Sequence, residues 1–248
     1  MSQSNGPDPA VSVIVPVKNE AGNIAPLVAE IAAALQDRTF EVIYVNDGSK
    51  DATEAELLGL MAQWHWLRQI RHKESYGKSA AVRTGVAMAR APIIVTLDGD
   101  CQNDPAVIPT LIAKLEAGTT RVGLVAGQRV ARKATVFRKM QSRIANVLLR
   151  ALLKDGTRDF GCAIKVFRRD AFLSLPYFDG LDCFVSALMR REGFDIVYVD
   201  VLERPRRHGS SHYGLWNRLW FILDTAGVLW LIRRSKRMPE PEEVTLAR

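Results

Sequence analysis

The chain reads as an α/β protein with a Rossmann-like, mainly parallel sheet flanked by helices, and three observations predict this. Short β-branched runs recur at roughly 25–30-residue intervals, the repeat expected of strand–helix units with right-handed crossovers. The stretches between them have apolar residues at helical spacing. Polar residues collect directly after the runs, at the strand ends where such sheets bind ligands.

Taken in order, Val11 to Val15 reads as a buried strand and Glu41 to Val45 as a second. Trp66 to Ile70 is a weaker third, Ile93 to Leu97 a fourth and Val122 to Ala126 a fifth. Helices are predicted over Ile24 to Leu35, Ala52 to Gln63, Ser79 to Ala89 and Val107 to Glu116. No internal repeat or low-complexity linker interrupts the series. Residues 1–215 are expected to form one catalytic domain, and 216–248 a C-terminal membrane-associated helix with a basic tail.

Composition permits this and excludes other classes. At 248 residues with 48% hydrophobic content, the chain can bury a full core. Its three cysteines, Cys101, Cys162 and Cys183, show no Cys-x-x-Cys spacing, which argues against a disulfide framework or structural zinc site. Cys162 and Cys183 are expected as packing residues, and His65 and His72 as surface histidines. Met1 to Ala10 is polar with no apolar run, so no secretory signal is expected there. The net charge of +7 suggests an anionic partner. Nucleic acid is not expected, because no recognised module or aromatic–basic platform appears. A nicotinamide-binding dehydrogenase is set aside too, since no Gly-x-Gly-x-x-Gly follows the first strand.

The strand ends carry the chemistry. After the fourth strand come Asp98-Gly99-Asp100-Cys101-Gln102-Asn103-Asp104-Pro105. Residues two apart in extended chain point to one side, so Asp98 and Asp100 can converge on a hard cation, Mg²⁺ or Mn²⁺, which takes oxygen ligands. The plain alternative is an acidic turn. Pro105 suits the first turn of a following helix. After the second strand, Asp47 precedes a turn glycine at the strand tip, where a carboxylate can accept hydrogen bonds from a base or ribose. Asp51 with Glu54 forms a potential capping pair. Lys78, near a helix start, suits an anion.

These segments carry a resemblance. Val13 to Glu20, Val45 to Thr53, Tyr76 to Ala80 and Asp98 to Gln102 resemble the family 2 glycosyltransferases in order and spacing. Gly127-Gln128-Arg129, Ser142-Arg143, Asp159-Phe160-Gly161 and Arg206 to Tyr213 are similar to the polyprenyl-phosphate, dolichol-phosphate mannosyltransferase-like branch. The resemblance covers roughly residues 11 to 215. It implies a GT-A fold, a UDP- or GDP-linked nucleotide-sugar donor, a divalent cation and inversion at the anomeric carbon. By the same resemblance, Pro16, Glu20, Asp47 and Lys78 hold the nucleotide. Asp98, Asp100 and Gln102 form the metal and diphosphate site. Arg129 and Arg143 hold the acceptor phosphate, with Arg206 and Asp159 also in the catalytic group. Three places depart from the pattern: Lys18 stands for a frequent Tyr, Asn46 for a frequent Asp, and Asp182-Cys183 for a common His-Arg pair.

The residue types suit the implied chemistry. Sugar transfer from a nucleoside diphosphate builds negative charge on the leaving group, which a divalent ion and basic side chains stabilise. A lipid phosphate acceptor is already anionic, so no general base is required, and the planar fork of arginine suits it. Rival acceptors are a glycan or a glycerolipid hydroxyl, and a rival class is a non-catalytic membrane adaptor.

Charge and apolar patterning point to a membrane surface. From Ala117 to Lys154 there is no Asp or Glu while Arg and Lys recur, and Val136, Phe137, Met140, Ile144, Val147, Leu148 and Leu149 interleave with them. That pattern fits an interfacial amphipathic helix on anionic lipid, or a solvated helix packed on the domain. Leu219 to Ile232 is apolar but holds Asp224, and it is shorter than the ~20 residues a bilayer span needs. Trp216, Trp220 and Trp230 with flanking arginines suit the headgroup interface. Packing on the catalytic domain, or on a second subunit in a homo-oligomer, is the competing use. The expected location is the cytoplasmic face of a membrane, the bacterial inner membrane above all.

Overall fold

The computed structural model describes residues 8–130, 152–153, 155–205 and 215–234. Among them run strands β1 (Val11–Val17), β2 (Phe40–Asp47), β3 (Leu67–His72), β4 (Ile93–Thr96), β5 (Val122–Val130), β6 (Lys165–Arg168) and β7 (Asp195–Leu202). The helices are α1 (Ile24–Ala34), α2 (Thr53–Met61), α3 (Lys78–Met88), α4 (Ile108–Ala117), α5 (Arg169–Leu173), α6 (Leu181–Arg191) and α7 (Leu215–Arg233). The strands form one sheet in the order β3-β2-β1-β4-β6-β5-β7. All pairings are parallel except those of β6, which runs antiparallel to both β4 and β5.

The chain builds outward from β1 through β2 to β3, then returns to set β4 on the other flank of β1. That reversal opens a crevice beyond the carboxyl ends of β1 and β4, the place such sheets reserve for ligands. Period-two alternation explains how both sheet faces are covered. Val11, Val13 and Val15 turn to one core with Leu27 of α1, Leu57 of α2 and Leu111 of α4. Ile14 turns to the opposite core with Val82 of α3, Phe172 of α5 and Phe184 of α6. Gly85 lets α3 lie close on the sheet, because a Cβ there would sit 2.4 Å from Ile14 Cγ2.

All five predicted strands are found with shifted ends, β1 reaching Val17, β2 spanning Phe40–Asp47 and β4 stopping at Thr96. The third strand begins one residue later and continues to His72, because its ladder with β2 runs on until Asp47 faces His72. The fifth continues to Val130 and carries Gln128 and Arg129 into the ladder with β7. β6 and β7 were not predicted: β6 has only four residues, and much of β7 is half-exposed and lacks clean alternation.

Near the C-terminus, α7 rests on α6 through one face, where Val228 and Thr225 are buried and Arg191 Nε donates to the Leu231 carbonyl at 3.2 Å. Leu223 and Trp230 are 57% and 60% exposed. No helix among the described residues is long and apolar enough to cross a membrane. The amphipathic stretch expected around Arg132 to Leu149 lies outside the described residues, as do Arg143, Arg206, His208 and His212.

Candidate active site

Three strand-end loops are tied together by hydrogen bonds. Asn19, left-handed at φ 56°, receives a hydrogen bond from Lys50 N on its Oδ1 at 2.7 Å and donates its own N–H to Ser49 Oγ at 2.9 Å. Glu20 N donates to Thr53 Oγ1 at 2.9 Å, and the Glu20 carboxylate accepts from Asn23 Nδ2 at 2.7 Å. Asp51 binds Thr53 N and Thr53 Oγ1 at 3.0 and 2.6 Å, and Ala21 N at 3.2 Å. Its capping partner is therefore Thr53, while Glu54 pairs with Arg71 instead.

Asp47 organises the third of these loops. Its Oδ1 accepts from Tyr76 N at 2.9 Å and meets His72 Nδ1 at 2.7 Å. Its Oδ2 accepts from Ser75 Oγ at 2.6 Å and Gly77 N at 2.9 Å. Burial works to raise this carboxyl, but the donors from Ser75, His72, Tyr76 and Gly77 outweigh it and hold the group below the usual carboxylate range. His72 is thus no surface histidine: it bridges Asp47 to Thr84 Oγ1, 3.0 Å from its Nε2. Gly48 makes the turn possible, at φ +68° and with the Glu74 backbone 2.8 Å from where a Cβ would stand.

The result is that the start of α3 is delivered to the tip of β4. Lys78 Nζ lies 2.5 Å from Asp98 Oδ1 and 4.0 Å from Asp182 Oδ2. Asp182, at the start of α6, also accepts from Ser79 Oγ at 2.5 Å. Pro16, Lys78, Asp98 and Asp182 line one cleft, whose walls include Thr96, Phe160, Cys162, Lys165 and Cys183. Burial pushes the Cys183 thiol up to about 12 and raises Cys162 as well, so neither is a nucleophile at neutral pH.

Asp100 is 5% exposed, and its Oδ1 accepts from Gln102 N at 3.1 Å in a turn with Cys101 left-handed at φ 60°. Asn103 Oδ1 accepts from Asp98 N at 3.2 Å, which steadies the loop from behind. Asp104 caps the short turn at Pro105–Val107 by accepting from Ala106 N at 2.9 Å. The Asp98 and Asp100 carboxylates fit a hard divalent cation by their chemistry, and Lys78 already holds a positive charge against one of them. Among the described residues no group of three or more His, Cys, Asp or Glu side chains is set to hold an ion. A cation here would take two carboxylates from the chain and its other ligands from substrate oxygens and water.

Near the end of β5, Arg129 is held from two sides. Its Nε and Nη2 donate to the two oxygens of Asp159 at 2.5 and 2.9 Å, and its Nη1 donates to Glu203 Oε1 at 2.8 Å. The three side chains are only 11–14% exposed. Burial alone would lower the guanidinium, but the Asp159 contacts and the Glu203 charge raise it, and Asp159 is held low in return. Glu203 also bridges to Asn103, and Arg204 N donates to Gln102 O at 2.9 Å. The carboxylate loop and the Arg129 cluster are therefore one connected body. Glu203, Lys165 and His72 carried no signal as site residues in the sequence, whereas Asp182 appeared there only as a departure.

Comparison with known proteins shows the family. Residues 12–175 match the model of glycosyl transferase family 2. Over 233 residues the chain is 32% identical to a dodecaprenyl-phosphate galacturonate synthase of Rhizobium johnstonii, covering 92% of this chain and 68% of that protein. Over 219 residues it is 30% identical to an undecaprenyl-phosphate 4-deoxy-4-formamido-L-arabinose transferase of Pectobacterium carotovorum, covering 86% of this chain and 65% of the relative. The chain thus spans about two thirds of the length of these curated relatives. Among solved structures, glucosyl-3-phosphoglycerate synthase from Mycobacterium tuberculosis, in complex with Mn²⁺, UDP and glucosyl-3-phosphoglycerate, superposes with a TM-score of 0.68 at 20% identity. That alignment covers 90% of this chain and 80% of the other. The same enzyme has also been solved with Mg²⁺ and UDP.

Proposed function

The chain belongs to glycosyl transferase family 2, among the polyprenyl-phosphate glycosyltransferases, and on that premise we propose that it moves one sugar from a nucleoside-diphosphate sugar to a polyprenyl phosphate. The single observation that carries the reading is the contact between Lys78 and Asp98 at 2.5 Å, at the crevice beyond the carboxyl ends of β1 and β4. An ammonium at a helix start meets the Asp98 carboxylate there, on the loop that also carries Asp100, and these are groups that a diphosphate with its cation requires.

In this reading Pro16 and the Asn19–Asp51 loop network form the nucleotide side, with Asp47 shaping the wall behind it. Asp98 and Asp100 would hold Mg²⁺ or Mn²⁺, with Gln102 beside them. That ion, when bound, supplies Lewis-acid stabilisation of the leaving diphosphate. Lys78 and the first N–H groups of α3 face the same developing charge. The acceptor's phosphate oxygen bonds to the anomeric carbon from the opposite side as the bond to the diphosphate breaks, so configuration inverts. The acceptor oxygen carries no proton to be removed, and no base is needed. Arg129, kept in place by Asp159 and Glu203, retains N–H donors for that phosphate, and Arg143 and Arg206 are assigned beside it. The exposed Leu223 and Trp230 of α7 would seat the enzyme on the cytoplasmic membrane face, where a lipid phosphate is reached.

Incubating the full chain with radiolabelled UDP- and GDP-sugars, Mn²⁺ and vesicles containing polyprenyl phosphate tests this. The expected product is an organic-extractable, mild-acid-labile lipid-phosphate sugar from one of the donors. Label that stays water-soluble with every donor, or that passes to a diacylglycerol instead, defeats the proposal.

A further inference from the structure

Lys165 stands where the proposed reaction has not used a cation. In the β4–β6 register it lies opposite Thr96, two residues upstream of Asp98. Its side chain shares a sheet face with Phe167 and so lies beneath α3 and α6, lining the same cleft as Lys78 and Asp98. The ammonium donates to the Cys162 carbonyl at 2.5 Å and makes no ion pair with any described residue. Lys78, by contrast, has Asp98 and Asp182 beside it.

An ammonium has three donors, and one carbonyl leaves two of them for a ligand. The neighbouring wall is apolar, with Phe160, Phe167 and Phe172, so the half-buried charge loses water without gaining a counter-ion. Such a group is stable when a ligand brings the anion. Two residues back from a strand tip is about 7 Å, the reach of a hexose ring whose diphosphate sits at Lys78. Asp182, an acid lining the same cleft, has its Oδ1 engaged by Ser79 and its Oδ2 4.0 Å from Lys78, so its charge is partly offset there.

We propose that Lys165 is a specificity-determining residue that pairs with a carboxylate on the donor sugar, so that the preferred donor is a nucleotide-linked uronic acid. This inference rests on the glycosyltransferase reading and is tested by binding, which does not depend on turnover. UDP, UDP-galactose and UDP-galacturonate are titrated calorimetrically into the full-length protein with Mn²⁺, for the wild type, Lys165→Met and Lys165→Arg. The expected result is at least tenfold tighter binding of the uronate than of the neutral sugar in the wild type. Lys165→Met should bring the two sugars to equal affinity with UDP affinity changed less than twofold, and Lys165→Arg should keep most of the preference. A wild type that binds UDP but shows no preference, or a preference that survives in Lys165→Met, overturns the inference and leaves the glycosyltransferase reading standing. Failure of all three nucleotides to bind overturns both. Should Lys165→Met not fold, as judged by circular dichroism, the wild-type ratio and a Lys165→Gln variant decide in its place.

Discussion

The two halves of the sheet hold their strand ends in different ways. On the β1–β3 side, side-chain oxygens of Asn19, Asp51 and Asp47 accept from backbone N–H groups of neighbouring loops. On the β5–β7 side, one guanidinium is clamped by two carboxylates from distant parts of the chain. The first device fixes backbone, which suits the wall proposed to receive the nucleotide. The second fixes charge in a poorly solvated place, so its parts are strongly interdependent. Lys78 lines the cleft, a third exposed and held by Asp98.

The largest effect should come from the loop that joins the two sides. Asp100→Ala removes a proposed cation ligand, and sugar transfer should fall at least a thousandfold, about 4 kcal/mol in the barrier. The turn should persist, because Asn103 and Arg204 still fasten it. Transfer measured with and without EDTA checks this. Turnover near the wild-type level, indifferent to the chelator, would remove the metal from the account.

The clamp predicts a loss of stability as well as activity. Asp159→Ala leaves the buried Arg129 with Glu203 alone and should cost about 3 kcal/mol, the lower end for breaking a buried ion pair. Asp159 has a depressed folded pKa, so its contribution is present above the ordinary carboxylate value near 4 and fades as pH falls through the lower folded value. Urea unfolding of wild type and variant at pH 7 and pH 3 should therefore show a smaller difference at pH 3. An equal difference at both would place the stabilisation in packing instead.

The opposite side offers a milder test. Asp47→Asn keeps the shape but turns one acceptor into an NH₂ group facing a backbone N–H, either Tyr76 N or Gly77 N. An unsatisfied contact of that kind costs about 1–3 kcal/mol. Binding of a nucleoside diphosphate should weaken with it, because the start of α3 is misplaced. Calorimetry showing unchanged affinity would mean that this loop does not shape the nucleotide wall.

The same contrast explains what the sequence disclosed. The β1, β2 and β4 tips were legible because a buried parallel strand is a continuous apolar run and its polar end stands out. Asp98, Lys78 and Pro16 came with them. The clamp was harder to see, since Arg129 lies 30 residues from Asp159 and 74 from Glu203, separations no local pattern encodes. Asp159 and Arg129 were singled out through the family resemblance, but Glu203 was not. Ser79 and Asp182 meet across 103 residues, and Lys165 sits in a strand too short to announce itself. His72 looked superficial because its partners, Asp47 and Thr84, come from other elements.

The smallest effect on the fold, and the sharpest separation of fold from location, is expected at α7. Leu223 and Trp230 are seven residues apart, two helical turns, and so lie on one face, whereas Val228 and Thr225 are buried against the domain. Replacing the exposed pair together by alanine removes nothing from the core, and thermal stability should change by less than about 0.5 kcal/mol. If that face enters the headgroup layer, the same change removes apolar burial of roughly 1.5–3 kcal/mol per large side chain. Flotation with anionic vesicles should then show binding reduced at least tenfold. Raising the salt should weaken wild-type binding only in part, because screening acts on the arginine contribution and leaves apolar burial intact. Replacing Val228 by Asp is the converse control: it should unfold or loosen α7 on α6 without any direct claim on lipid. Unchanged flotation of the Leu223/Trp230 double variant, with the fold intact, would assign that face to something other than the membrane.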